Sequence, residues 1–446
     1  MNVAIDQELD PAIDMADVLA PEQPATLEES GLAADSVTSL IVKLLHSGEA
    51  SGMDLADRIR LPYGILEPLL DHLRVELLVQ VKSSSGLGSA GYRYTLSDSG
   101  RNRALRYFEA CGYAGPAPVP LAQYTTYMTA LRAQTRDVYR ERVARAFTHL
   151  IVEPEMLDQL GPAIASGRAM FLYGPPGNGK SVMGEGIGRV LGGDIYVPHA
   201  IDVDGQVITV FDPVAHDARD ENGADSIIRS STDIDGRWVR VARPVITVGG
   251  ELTLEMLDLR YKEQSAFYEA PVHLKANGGV LVVDDFGRQR VAARDLLNRW
   301  IVPLESRVDY LNLQTGRKFQ VPFDTMVVFA TNLEPQTLAD EAFLRRIPYK
   351  ILAKNPSLSQ FSKIFEMNCN RHGLTYDPAI VQHLHDKYYI GRSLAMRACH
   401  PRDLTDQVVN LCRYHRRQTE ITTELLDAVC QNYFLADSQN GPTAAR

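Results

Sequence analysis

Three hydrophobic patterns follow one another along the chain. Between 36 and 110 the apolar positions first repeat at helical spacing. "DSVTSLIVKLLHSG" puts Leu40, Ile41, Leu44 and Leu45 on one face and stops at Gly48. "GMDLADRIR" predicts a second short helix, "LPYG" a turn and "ILEPLLDHLRVELL" a third helix; "LVQVKSSSGLGSAGYRYTLSDSG" then predicts strand, Ser/Gly loop and strand. From about 150 to 350 short apolar runs alternate with helical stretches, which predicts a parallel sheet with helices on both faces. After Pro356 the pattern is helical, with four helices in "LSQFSKIFEMNCNRHG", "DPAIVQHLHDKYY", "PRDLTDQVVNLCRYHRRQ" and "TTELLDAVCQNYF".

The connecting stretches set the boundaries. Residues 1–35 carry nine acidic residues and no Lys or Arg, which predicts a disordered acidic tail. A compact unit occupies 36–110. "CGYAGPAPVPLAQY" reads as a linker and "YTTYMTALRAQTRDVYRERVARAFTHL" as one helix, so 111–144 joins this unit to an α/β domain at 145–354. A helical domain covers 355–435, and 436–446 is a frayed tail.

Composition narrows the class. The 446 residues are 45% hydrophobic and 23% charged, enough apolar mass for a large core. A net charge of −10 argues against general attraction to nucleic acid or acidic membranes, though not against a local basic patch. The five cysteines are scattered without a CxxC, so free thiols fit better than a zinc site or disulfides. No run reaches membrane-spanning length, and the acidic N-terminus lacks the features of a signal peptide. A cytoplasmic protein without membrane insertion is expected.

Two stretches carry chemistry. "MFLYGPPGNGKSVMGEGIGRVL" holds Gly174, Pro175, Pro176, Gly177, Asn178, Gly179, Lys180, Ser181 and Val182 between a predicted strand and a predicted helix. In that context the glycines turn backbone N–H groups around phosphate oxygens, and the helix aims its positive end at the same anion. Lys180 reaches the β- and γ-phosphates of ATP, and Ser181 ligates Mg²⁺. In "GGVLVVDDFGRQR" a four-residue apolar run ends in Asp284 and Asp285. Paired acids at the end of a buried strand need compensation. Mg²⁺ held by Asp284 would supply it, and Asp285, next in line, can orient or deprotonate an attacking water.

Further on, "TMVVFATNLEP" ends a strand at Asn332, "DEAFLRRIPYKI" carries Arg345 and Arg346, and "CHPRDLTDQ" carries Arg402. With these the chain resembles the AAA+ ATPases over roughly 145–435, in the order Walker A, Walker B, sensor 1, arginine finger, sensor 2. The resemblance implies a P-loop α/β core with a C-terminal helical lid. It implies that Asn332 positions the water, that Arg346 or its neighbour Arg345 acts on ATP in the adjacent subunit of a ring, most often a hexamer, and that Arg402 reports the γ-phosphate to the lid. "VDYLNLQTGRKFQVPF" is a hairpin before sensor 1, as in the MoxR-like, pre-sensor-1 branch. "IYVPHAIDVDGQVITVFDP" predicts a second hairpin turning at Asp204-Gly205. The unit at 36–110 resembles a winged helix-turn-helix domain.

Asp285 departs from the Glu that most of this family carries; Asp-Asp also occurs in replication initiators and helicase loaders. Two readings follow, a working base in a shifted frame or a slow nucleotide switch. The use of the energy is open between remodelling or assembly of a protein client and a DNA-bound regulator or loader. The third helix carries Glu67, Asp71 and Glu76 against His72 and Arg74, while Lys82, Arg93, Arg101, Arg103 and Arg106 offer backbone contacts to DNA. The balance favours a protein partner.

Overall fold

The computed structural model describes residues 19–84, 89–134, 138–219 and 234–434. A five-stranded, all-parallel sheet lies at its centre. Across it the strands run Val245–Val248, Val280–Val283, Met326–Thr331, Met170–Tyr173 and Tyr349–Leu352. The apolar runs are continuous because both faces are covered. Leu281, Val283, Phe329 and Phe171 point into one core, and Val280, Val282, Val328, Met170 and Leu172 into the other. The first core is closed by Leu296, Leu297 and Trp300, the second by Met183, Ile187 and Val190 of the helix Lys180–Leu191. That helix spends three glycines, each costing about 1 kcal/mol against Ala in a helix interior. They permit close approach: a Cβ on Gly184 would lie 3.0 Å from Val282 Cγ1, and one on Gly188 would overlap the Val245 side chain.

A β-rich module interrupts the parallel core. Strands Asp194–Pro198 and Trp238–Ala242 pair antiparallel. A second sheet has the order Arg260–Lys262, Phe267–Glu269, Gln206–Thr209, Ala200–Val203, Val119–Pro120. Its hairpin turns at Asp204 and Gly205, where φ is 55° and 80°, as the Asp-Gly pair predicts. The expectation of simple strand–helix alternation over 150–350 does not hold here: hairpins at 200–209 and 260–269 enter a mixed sheet whose other pairings join strands distant in sequence. The hairpin Val308–Asn312/Lys318–Pro322 also forms as predicted. Its Leu311, Phe319 and Val321 share a core with Ile208 and Tyr268 of the module.

The N-terminal unit contains helices Ala34–His46, Gly52–Ile59, Tyr63–Val75 and Asp98–Ala110 around a three-stranded antiparallel sheet, in which Tyr92–Leu96 lies between Ala50–Ser51 and Val79–Ser84. The C-terminal unit packs Leu358–Arg371, Pro378–Leu384, Cys399–Tyr414 and Thr423–Tyr433 around Phe361, Phe365, Leu404 and Val408. All five cysteines are free, and among the described residues no helix is long and apolar enough to cross a membrane.

Three expectations are corrected. The predicted acidic tail is ordered over 19–35: Leu27–Ser30 is helical, Leu32 is buried, and Asp235 N donates to Pro21 O at 2.9 Å. Residues 1–18, like 436–446, lie outside the described residues. The expected linker is a packed strap: Tyr113, Ala117 and Val119 are buried, and Val119–Pro120 joins the module's sheet beside Ile201 and Asp202. Lys43 Nζ, itself buried, donates to Cys111 O at 3.0 Å and Tyr113 O at 2.6 Å. Proline and glycine there serve close packing; their composition alone does not separate that from a mobile linker. The helix expected from 124 to 150 is two helices, Leu121–Ala133 and Arg140–Ala146.

One buried ion pair joins these parts. Arg237 and Asp235, with side chains 2% and 3% exposed, are bonded at 2.8 Å. Arg237 also donates to Ser30 O at 2.9 Å and to Gln123 Oε1 at 3.2 Å. It therefore ties the N-terminal segment to the strap and the module. Removing one member of a buried pair leaves the other uncompensated. Arg237→Ala is expected to lower the unfolding free energy in urea by about 3–5 kcal/mol. Arg140→Ala, which breaks the exposed pair with Asp158, should cost no more than about 1 kcal/mol. Equal effects of the two variants would refute the staple.

Candidate functional site

The parallel register sets the site. Val283 pairs with both Val248 and Phe329, and Thr331 with Tyr173, so four strands end along one edge. The loop 174–179 leaves the strand Met170–Tyr173 there. Gly174, Gly177 and Gly179 have φ of 132°, 82° and 76°, conformations that a Cβ disfavours. The helix Lys180–Leu191 starts at this loop, so its unpaired N–H groups and positive end face the strand edge.

Lys180 is 7% exposed, and its Nζ donates to Gly174 O and Pro175 O, both at 2.9 Å, and to Asn332 Oδ1 at 2.6 Å. All three ammonium protons are used. Burial lowers its pKa, and the Asp284 and Asp285 carboxylates oppose that shift. Asn332 Nδ2 donates to Asp285 Oδ1 at 3.0 Å, so a continuous chain runs Lys180–Asn332–Asp285. Beside it, Ser181 Oγ donates to Asp284 Oδ2 at 2.7 Å, and Asp285 N to Asp284 Oδ1 at 2.9 Å. The Gln289 amide closes the acidic turn by donating to Asp284 O at 3.0 Å.

Asp285 has φ of 47°, in the left-handed region. Asp and Asn visit this region more readily than other residues with a Cβ. The local backbone thus accounts for a short acid at 285, which is exposed while the four residues of its strand are fully buried.

The structure gathers the loop Gly174–Ser181, Asp284, Asp285 and Asn332. Val182, the next helical residue, is 41% exposed. The three arginines stand apart from this network. Arg346 Nε donates to Glu305 Oε2 at 2.9 Å, and Arg345 is exposed at the end of the short helix Glu341–Leu344. Arg402 donates to the neighbouring Asp403 Oδ1 at 3.0 and 2.9 Å, and no hydrogen bond among the described residues joins it to the loop.

Sequence reasoning named Asn178 as a loop residue and missed its second partner set. Its side chain is 4% exposed; Nδ2 donates to Asn355 Oδ1 at 2.8 Å, and Oδ1 accepts from Ala398 N at 3.2 Å. Gln289 was also missed, and no motif marks it.

A partly open cleft adjoins the loop, lined by Val152, Met156, Met183 and Ile364 and by polar groups that include Glu153, Glu155, Lys354, Asn178 and Asn355. Apolar side chains beside convergent amides are the groups that a planar heterocycle uses. Ser181 Oγ and Asp284 Oδ2 converge as two oxygen ligands, and Mg²⁺ bound with phosphates characteristically takes only one or two protein ligands. The donor set therefore fits Mg²⁺ with a nucleotide.

Residues 357–432 match a family described as a domain of unknown function (DUF8689). No curated protein matches the chain. Among solved structures, the chain is similar to NtrX from Brucella abortus at 14% identity and a TM-score of 0.40, covering 69% of this chain and 61% of that one. NtrX in complex with ATP aligns at 14% identity and a TM-score of 0.37, over 63% and 57%. The RuvB Holliday junction branch migration motor of Thermotoga maritima aligns at 14% identity and a TM-score of 0.36, over 68% and 72%.

His400, in the first turn of Cys399–Tyr414, is buried and stacked on Tyr389, whose hydroxyl lies 2.9 Å from its Nδ1. Burial pushes its pKa down to about 4. An unfolded histidine binds its proton near pH 6.5. Between these values the unfolded chain holds more protons, so stability is complete above about pH 6.5 and falls on acidification. His199 shifts the same way, also to about 4. Unfolding free energy should therefore decline from pH 6.5 to 4.5, and His400→Phe should flatten the slope by up to about 1.4 kcal/mol per pH unit. An unchanged slope would contradict a neutral buried His400.

Proposed function

We propose that the chain is an AAA+ ATPase that binds and hydrolyses Mg-ATP as a ring of subunits, most simply a hexamer, and uses the energy to remodel or assemble a protein client. The observation that carries this reading is the Lys180–Asn332–Asp285 chain beside the Ser181–Asp284 pair. Lys180 would hold the β- and γ-phosphates and Asp285 would take the proton of the attacking water. Asn332, already bonded to both, would orient that water. Bound at Ser181 and Asp284, Mg²⁺ would supply positive charge against the phosphates. Asp285 is then a working base delivered by a left-handed backbone, which favours turnover over a slow switch.

The ring rests on Arg345 and Arg346, which stand outside the phosphate-loop network of their own subunit. Arg345 is the more available, because Arg346 is held by Glu305. The 308–322 hairpin supports a place in the pre-sensor-1, MoxR-like branch, and the N-terminal unit has the element order of a winged helix. Its surface favours a protein partner. Arg74 pairs with Asp71, His72 with Glu76, and Lys82 and Arg93 with Glu49, which leaves little unpaired positive charge for phosphates on that face. Val75 and Leu77 beside it are 80% and 74% exposed. The alternative, a DNA-bound regulator or loader, keeps the exposed Arg101, Arg103 and Arg106. The cytoplasm fits both.

Steady-state Mg-ATP hydrolysis across a protein concentration series tests the reading. Specific activity should rise with concentration as subunits complete one another's sites. Lys180→Ala should abolish nucleotide binding. Asp285→Asn, which suits the left-handed backbone, should bind ATP but hydrolyse it at least about 100-fold more slowly. Asp285→Glu should also lose about 100-fold, since it lengthens the acid in a frame set for Asp. Full activity in Asp285→Asn would remove Asp285 from catalysis.

A further inference from the structure

We propose that Gln289 is a positioning residue for the reaction: its side-chain amide holds the turn 284–287 in the left-handed conformation that presents the Asp285 carboxylate to an attacking water. This rests on the reading of Asp285 as the base of a Mg-ATP site.

The turn that carries Asp285 is strained. Asp285 has φ of 47° and Gly287 φ of 96°, and a Cβ on Gly287 would lie 2.6 Å from Leu338 Cδ2. Left-handed residues this close together persist only where their surroundings over-determine them. Phe286, between the two, does this on one side. It is fully buried, with its ring centroid 4.8 Å from that of Phe329. Its N–H donates to Ala330 O at 2.8 Å, and its carbonyl accepts from Thr331 Oγ1 at 2.7 Å. Those contacts fix Phe286 to the sheet edge and leave the Asp284 carbonyl and the Gly287 N–H to be met from the other side.

Gln289 meets both with one group. Its Nε2 donates to Asp284 O at 3.0 Å and to Asp285 O at 3.3 Å, while its Oε1 accepts from Gly287 N at 2.8 Å. Among the described residues, Asp284 O and Gly287 N have no other hydrogen-bond partner. One end of the side chain must donate to carbonyls and the other must accept from an N–H, so an amide is required; Glu has the length but no donor when ionised. The Asp284 carboxylate is fixed separately, by Ser181 Oγ and by Asp285 N. Asp285 is exposed, and its carboxylate is bonded to Asn332 Nδ2 at 3.0 Å. It takes its position from the backbone beneath it, so loss of the clamp falls on Asp285. Gln289 makes no hydrogen bond to the glycine loop among the described residues, so its effect on the reaction runs through the acid.

The test is steady-state Mg-ATP hydrolysis by the full chain, with Mg-ATPγS affinity from titration calorimetry, in the wild type, Q289M, Q289E, D285N and the double variant D285N/Q289M. Q289M removes the amide at similar length, and Q289E keeps an acceptor without a donor. Each should lower kcat about ten- to hundredfold, the cost of misplacing a reacting group by about 1 Å, and leave ATPγS affinity and the Mg²⁺ requirement within about threefold of the wild type. In the D285N background, Q289M should slow single-turnover hydrolysis by less than about threefold further, because the acid it positions is gone. Wild-type kcat in either Gln289 variant overturns the proposal. So does a loss that appears in ATPγS affinity or in the Mg²⁺ requirement, or one that keeps its full size in the D285N background. Full activity of D285N, or no hydrolysis by the wild type, overturns the reading beneath it, a separate result.

Discussion

The parallel pairing of Val280–Val283 with the strands on either side of it is the constraint on which the rest depends. Parallel strands start at one edge and end at the other, so every loop that follows a strand emerges on the same side. The register here is tight: Val283 lies opposite Val248 and Phe329, and Phe329 opposite Phe171. Asp284, Asn332 and Gly174 therefore leave the sheet within a few residues of one another in space, though they are far apart in sequence. A shift of one residue in any strand would turn its side chains to the opposite core and withdraw its contribution to the site.

The site built on that edge is a balance of charges in a poorly solvated place. Lys180 is nearly buried and holds three acceptors; Asp284 holds a hydroxyl and an amide. Asp285 is placed outside the core by a left-handed backbone, which avoids burying a second carboxylate beside the first. The neutral Asn332 bridges the ammonium and that exposed acid, so a change at Lys180 is felt at Asp285 through one amide.

Residues that act within a few positions of a motif were legible in the sequence. The glycine loop, Lys180, Ser181 and the acidic strand end are fixed by local geometry, and so are the hairpins at Asp204-Gly205 and 308–322. What was not legible depends on contacts between distant segments. The strap at 111–120 has the composition of a linker, and only its burial against Lys43 and the strand beside Ile201 shows otherwise. The mixed module has the same short apolar runs as the parallel core, because strand propensity does not encode pairing direction. Arg402 has the right motif, yet its partner in the structure is the Asp at the next position. Why Asp285 is Asp could be asked from sequence; the answer needed a backbone angle.

The joints of the molecule differ in kind. The N-terminal segment is held to the β-module by the hydrogen bond from buried Arg237 to Ser30 O, and buried Lys43 ties the N-terminal unit to the strap, which adds a strand to the module; the module shares a core with the hairpin before Asn332. These contacts bury apolar surface and charged groups together, so separating them is costly. The C-terminal four-helix unit instead meets the glycine loop through a few neutral hydrogen bonds, from Cys399 N to Gly177 O, from Ala398 N to Asn178 Oδ1 and from Asn178 Nδ2 to Asn355 Oδ1. Bonds of that type are worth about 1 kcal/mol each. The joint between the C-terminal unit and the glycine loop thus runs through the candidate site itself, and Asn178 is bonded to both sides of it.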